Sequence, residues 1–493
     1  PSLPAPAPLS PPANHTFVAA YADDVNLVGP LPVIQAFAAD VTAILAECGL
    51  RVNAAKTKIL ALGREGHGEA HGIEILTGHT VAGVPLGTDA YIRSAVQGKV
   101  VKMTADIDRL HLLKDCQSEH ALLRYCIVAR PGYLQRTVLP TLASTALRSF
   151  DQRIDEELGR QCELSTPLPL EARVLRGIPI SLGGAGIPRL SGPGHVRAAL
   201  LGRLAVQLTL ANFQGHAPAI LQAIKASPLP VLDQEEWQSS VSGLREPPQS
   251  ATVPAIFTPN QPTLEIAADG LSTEAIKETH TARMRFLAAR VWGHLYAADN
   301  GAKRPWAAWL LSNASVGTAP WLAWRGNFSR ELQALPHGLM HHLLRLRLAI
   351  PMTDFDPDVL NTAPCGCTAA ATLSTEPLHM LQCLSNSAIK KERHDNVARA
   401  IVAGLRAASA RDLSEVTYYD GQGSCNVPFP SSSLSADFQS VARGRTTYYD
   451  VTIVNPATQR MVRDLHTAEQ RDSAVADAVR RKRDKYRAAI AAV

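Results

Sequence analysis

Apolar and polar positions alternate at two places along the chain and otherwise recur at helical spacing. Phe17-Val-Ala-Ala-Tyr-Ala22, the pair Asp23-Asp24 and Val25-Asn-Leu-Val28 predict two strands joined as a hairpin with acidic residues at its tip. Ile34, Phe37, Ala38, Val41, Ile44, Leu45 and Cys48 then return every three or four residues, which predicts a helix, and Gly49 supplies its C-cap. Helical patterns dominate from Tyr91 to Leu210, broken by the loop Arg176-Gly-Ile-Pro-Ile-Ser-Leu-Gly-Gly-Ala-Gly-Ile187. Between Lys225 and Pro262 the periodicity fades and Pro, Ser and Gln crowd together, the pattern of a linker. Helical spacing resumes from Ser272 to Leu348, followed by a short Cys/His segment and a helix around Val397 to Ala408. A strand-rich stretch near Tyr418 to Val454 and one long basic helix close the chain.

At 493 residues the chain is long enough for several cores. Apolar residues make up 46% of it, yet no run approaches the roughly 18 needed to span a bilayer. Pro1 to Asn14 lacks the basic start and apolar core of an export signal, so an intracellular, reducing setting is expected. The 8 cysteines do not form a disulfide framework, and Cys48, Cys116, Cys126 and Cys162 fall inside apolar helical patterns where buried thiols are usual. A net charge of +5 excludes little, but Arg and Lys crowd the last helix, Arg471 to Arg487.

Adjacent aspartates at a hairpin tip aim two carboxylates at one point, a geometry suited to magnesium and phosphate oxygens. Asp also favours turns for its own sake. The flanks narrow the choice. Tyr21-Ala-Asp-Asp24 with Val-Asn-Leu-Val-Gly29, a helix, then Gly49-Leu-Arg-Val-Asn-Ala-Ala-Lys56-Thr-Lys resembles the end of the palm of a non-LTR retrotransposon reverse transcriptase. Val84-Pro-Leu-Gly-Thr-Asp-Ala-Tyr91 resembles the element after that palm, and Leu122-Leu-Arg-Tyr-Cys126 with Tyr133-Leu-Gln-Arg-Thr-Val-Leu-Pro140 resembles the helical thumb. The resemblance implies that Asp23 and Asp24 bind metal and that Lys56 lies near the triphosphate; a solvated lysine is the alternative for Lys56. Polymerase chemistry also needs a carboxylate from an earlier strand, and only 20 residues precede Tyr21. The expectation is therefore either a fragment of a larger product or a decayed reading frame, short at both ends and unable to polymerise alone.

Cys365-Gly-Cys367, eleven residues, then His379-Met-Leu-Gln-Cys383 offers three thiols and an imidazole, a set suited to tetrahedral zinc. Retrotransposons of this kind that carry a restriction-like endonuclease have a Cys-Cys-His-Cys knuckle in the matching place. Leu343 to Ile350 and Arg393-His394-Asp395-Asn-Val397 also resemble them, with His394 a spare ligand or a capping residue outside the metal set.

In Thr446-Thr-Tyr-Tyr-Asp-Val-Thr-Ile-Val-Asn-Pro456 strand alternation places Asp450 among apolar neighbours, where a carboxylate needs a partner or a metal. Asp437 stands thirteen residues earlier, across the Ala442-Arg-Gly-Arg445 turn, so two carboxylates can converge on magnesium. On the last helix Lys482 and Lys485 interrupt the apolar face of Val475, Ala478, Val479, Tyr486 and Ala489. Either lysine aimed at the strands would orient the attacking water or stabilise the phosphate; the alternative is a stem that runs past the core to solvent. This arrangement resembles the PD-(D/E)xK fold of these retrotransposons, in which the catalytic lysine sits on the helix and Thr452 stands in its usual place. The chain departs from that pattern at Leu434-Ser435, where Arg-Pro is expected, and it stops before the last expected strand. Glu415 and Glu469 are further metal-site candidates.

The chain is thus read as an α/β multidomain protein with a partial right-hand polymerase palm at 1–95, a helical thumb at 96–224 and a linker at 225–271. A helical connector at 272–350, a zinc-knuckle region at 351–405 and a PD-(D/E)xK-like nuclease at 406–493, incomplete at its C-terminus, follow. The resemblance implies the C-terminal part of an RNA-directed DNA polymerase joined to a metal-dependent endonuclease that nicks target DNA to prime copying of element RNA. Magnesium at the polymerase and nuclease sites, zinc in the knuckle, DNA and element RNA as partners, no membrane, and a nuclear location belong to the same expectation. The competing reading is a non-catalytic nucleic-acid-binding remnant of a decayed retroelement.

Overall fold

A computed structural model describes residues 17–21, 24–53, 55–60, 68–70, 73–191, 201–202, 242–246, 253–258, 273–297, 304–314, 337–350, 394–395, 397–399, 401–402, 415–417, 427–428, 435–442, 445–451 and 473–491. The chain divides into two compact units, Pro1–Ser94 and Ala95–Val493.

In the first unit β1 (Phe17–Tyr21) and β2 (Asp24–Val28) pair antiparallel from Phe17↔Val28 to Tyr21↔Asp24. Helix α1 (Leu31–Glu47) carries Pro32 in its first turn, where a missing N–H costs nothing. It closes at Gly49, whose φ of 76° suits a residue without Cβ, and Leu50 N donates back to Leu45 O at 2.8 Å. Strand β3 (Ile59–Leu60) runs parallel to β5 (Ile73–Leu76), and β4 (Gly68–Ala70) runs antiparallel to it. A second hairpin joins β6 (Gly78–Val81) to β7 (Val84–Gly87) through Ala82 and Gly83, both at positive φ as its right-handed twist favours. Gly78 faces Gly87 across this pair, and a Cβ on Gly78 would lie 2.0 Å from the Tyr91 ring at the start of α2 (Asp89–Asp108).

The second unit is organised around a long helix. After the short helices α3 (Cys116–Leu122) and α4 (Gly132–Thr137), α5 (Pro140–Gln161) buries Ala143, Ala146, Leu147, Phe150, Ile154 and Leu158 at helical spacing. Asp151 lies among them and is fully engaged. It accepts from Arg176 Nη2 at 2.7 Å, Ser191 N at 2.7 Å, Ser191 Oγ at 2.6 Å and Leu190 N at 3.0 Å. One buried carboxylate thereby ties α5 to α6 (Leu170–Gly177) and to the segment beyond it. The glycine-rich loop after α6 folds tightly: a Cβ on Gly184 would meet Ile178 O at 2.1 Å.

Helices α7 (Thr273–Tyr296), α8 (Arg304–Asn313) and α9 (His337–Arg347) belong to the same unit, and buried cations of α9 fasten it to its neighbours. Arg347 donates to Gly184 O at 2.9 Å, Asn313 O at 2.9 Å and Ile180 O at 2.7 Å, fastening three segments with one guanidinium. Burial, then the charge of Arg124, pulls that group down to about 10, still cationic at neutral pH. Arg345 and His341 reach the carbonyls that end α5, at Cys162, Glu163 and Gln161, where the helix dipole favours positive charge. The segments read as thumb and connector therefore share buried contacts. Within the stretch read as linker, Leu244 and Phe257 are buried and Arg245 N donates to His294 Nδ1 on α7 at 3.1 Å, so apolar anchors hold parts of it despite its composition.

Toward the C-terminus, β8 (Glu415–Thr417), β11 (Phe438–Ala442) and β12 (Arg445–Tyr449) form an antiparallel sheet in the order β12-β11-β8. The strands β9 (Val427–Pro428) and β10 (Ser435–Ala436) pair beside it in sequence, and α10 (Ser473–Ala491) is the last helix. Among the described residues no helix is long and apolar enough to cross a membrane.

Candidate active site

Hairpin register brings the two aspartates together. Strands β11 and β12 pair from Ala442↔Arg445 to Phe438↔Tyr449, so Asp437 and Asp450 are the next opposed positions beyond the ladder. Asp437 N donates to Tyr449 O at 2.8 Å, which carries the pairing one step further. Val451 N then donates to Asp437 Oδ2, and the side chain takes over from a backbone acceptor. The rings of Phe438 and Tyr449 stack at 4.6 Å and shield this end of the hairpin.

Asp450 departs from expectation in one respect. The alternation placed it inside a strand running to Pro456, whereas β12 ends at Tyr449 and Asp450 is the first residue after it. A charged side chain is poorly suited to a paired strand interior, and at the strand end it reaches its partners without disrupting the ladder.

The last helix supplies the cation. Lys482 Nζ forms an ion pair with Asp450 Oδ2. Lys485, nearly one turn on, has a different partner: its Nζ donates to Tyr486 Oη at 3.1 Å and lies 4.7 Å from the ring centre. Tyr486 is buried, and its hydroxyl hydrogen-bonds to Asp450. Burial first, and the charge of Asp450 second, push its phenol up to about 12, so it stays protonated and donates. The structure thus separates the two lysine candidates.

Burial raises Asp437 above the usual carboxylate range, and the negative charge of Asp450 adds to this, while Val451 N–H, His394 and Lys482 oppose it. His394 Nε2 lies 3.3 Å from Asp437 Oδ2 and 3.0 Å from Val451 O, and Nδ1 lies 3.2 Å from Asp395 Oδ1. Burial lowers the imidazole's proton affinity, but the Asp395 contact and the Asp437 charge outweigh it and raise the pKa. Neighbours that are all acceptors favour a proton on each ring nitrogen.

Two carboxylates opposed at a strand end suit a hard divalent cation, because magnesium is commonly held by one or two carboxylates with water and phosphate oxygens completing the shell. Among the described residues no group of three or more His, Cys, Asp or Glu gathers as a metal site.

Elsewhere the candidates lie apart from this centre or outside the described residues. Asp24 opens β2 opposite Tyr21, and Asp23 lies outside the described residues. Lys56 is exposed in a turn, where its N donates to Asn53 O at 3.0 Å. Glu415 opens β8 opposite Val441. Cys365, Cys367, His379, Cys383 and Glu469 lie outside the described residues. The sequence assigns no site role to Tyr486, although it stands one helical turn after Lys482, and no partner to His394, whose contacts at this site, Asp437 and Val451, lie more than forty residues away. No protein-family model, curated protein or solved structure matches the chain.

Proposed function

We propose that Asp437, Asp450 and Lys482 form the centre of a magnesium-dependent endonuclease that nicks DNA, within a protein of the non-LTR retrotransposon class. The observation that carries this reading is the meeting of three side chains from two strand ends and a helix: Asp437 and Asp450 in opposed register, with Lys482 on Asp450. A divalent ion bound by the two carboxylates would polarise a scissile phosphate and favour hydroxide at neutral pH. Asp437 and Asp450 anchor that ion, and neighbouring donors hold them in place. Lys482, an ammonium paired with a carboxylate, contributes positive charge and hydrogen bonds where negative charge builds on the phosphate. Tyr486 fixes Asp450 from the buried side, and Lys485 steadies the phenol.

A reverse transcriptase palm carrying Asp23 and Asp24 is the remainder of the proposal; Asp24 opens β2 opposite Tyr21. Zinc held by Cys365, Cys367, His379 and Cys383 belongs to the same proposal, as do target DNA and element RNA as partners.

Nicking of supercoiled plasmid with magnesium tests the nuclease. The native chain is expected to make open circles, and Asp450→Ala to slow this at least about a hundredfold. Equal cleavage by both proteins would overturn the nuclease and leave a nucleic-acid-binding protein without that activity.

A further inference from the structure

Helical residues 394–395, 397–399 and 401–402 lie upstream of the nuclease strands. Ala398 and Val402 are buried one turn apart, and His394 stands one turn earlier on the same face. The burial that docks this helix therefore delivers the imidazole to the end of the β11/β12 hairpin. There His394 Nε2 approaches Asp437 Oδ2 at 3.3 Å and Val451 O at 3.0 Å, while Nδ1 faces Asp395 Oδ1 at 3.2 Å. Because a backbone carbonyl and an ionised carboxylate only accept, Nε2 carries a hydrogen and donates.

This contact decides which oxygen of Asp437 remains available. Oδ2 already accepts from Val451 N, and His394 Nε2, which donates to Val451 O, lies 3.3 Å from the same oxygen as an ion-pair contact. An oxygen engaged by an amide N–H and faced by the imidazole is poorly placed to bind a cation as well, which leaves Oδ1. We propose that His394 is a positioning residue of the candidate nuclease: with Asp395 behind it, the imidazole locks the Asp437 carboxylate so that Oδ1 is presented to the divalent ion. This rests on the reading of Asp437 and Asp450 as cation ligands. A centre otherwise made from one hairpin and one helix thereby gains a fixed side from a third element. Partners that orient ligating carboxylates are usually worth about 10- to 100-fold in metal affinity or activity.

The test uses the full chain with Mn2+ as a spectroscopic probe, its binding followed by electron paramagnetic resonance beside magnesium-dependent nicking. His394→Ala should weaken Mn2+ binding about 10- to 100-fold and raise the magnesium midpoint of nicking in parallel. His394→Gln, whose side-chain amide places a donor near the position of Nε2, should restore both to within a few-fold of native. A purely structural histidine would lower thermal stability in both variants without this rescue. Unchanged Mn2+ affinity in a folded His394→Ala protein overturns the positioning role while leaving the nuclease reading intact. A native chain that binds no Mn2+ dependent on Asp437 overturns both, and Mn2+ binding without nicking overturns the nuclease alone.

Discussion

Lys482 and Lys485 lie on one helix with the same charge, and their partners set them apart. Lys482 meets a carboxylate of the site, whereas Lys485 meets a phenol beside it. Lys482→Ala is accordingly expected to slow plasmid nicking by about 10² to 10³, and Lys485→Ala by less than about tenfold. Equal losses in the two variants would contradict this division of roles. A second residue-scale consequence concerns His120, fully buried with Nδ1 3.1 Å from Gln161 Oε1. Burial lowers its pKa from 6.5 to about 4. Between those values the unfolded chain takes up a proton that the folded chain refuses, so stability falls as pH drops through this window and is unaffected by this residue above it. The loss is on the order of 3 kcal/mol. Urea midpoints measured at about pH 7 and about pH 4.5 should differ less for His120→Gln than for the native chain.

Among the elements, those built from neighbouring residues were legible in the sequence. Register across a short turn is a local property, and the spacing of Asp437 and Asp450 around Ala442-Arg-Gly-Arg445 sufficed to pair them. The end of β12 was less legible, because alternation continues through Val454 while the Asp437 side chain takes Val451 N out of the ladder. Contacts between distant segments were not legible at all. Arg347 joins Ile180, Gly184 and Asn313, and no periodicity signals that an arginine in an apolar helix will be buried against three carbonyls. The junction of α5 and α6 makes a further prediction. Asp151→Ala would leave Arg176, fully buried, without one of its carboxylates and would strip the acceptor from Leu190 N and Ser191 N. Chemical denaturation should show a loss of about 3–5 kcal/mol, against under about 1 kcal/mol for an exposed pair such as Arg487–Asp484. A loss as small as the exposed pair's would contradict the tie.

At the scale of the whole molecule, composition indicated several cores, and the chain forms two compact units. The first holds the acidic hairpin, and the second holds both the helical core around α5 and the strand ends that Asp437 and Asp450 flank. The proposed activity depends on a small part of the second unit, where two strand ends and a helix converge. If those side chains serve one ion, their contributions are inseparable: once either ligand is gone, the other has nothing left to hold. Nicking rates at saturating magnesium for Asp437→Ala, Asp450→Ala and the double variant measure this directly. The account predicts that each single substitution removes nearly all activity and that the double variant is no slower than the slower single. Losses that multiply, or a single variant that nicks at the native rate, would contradict it.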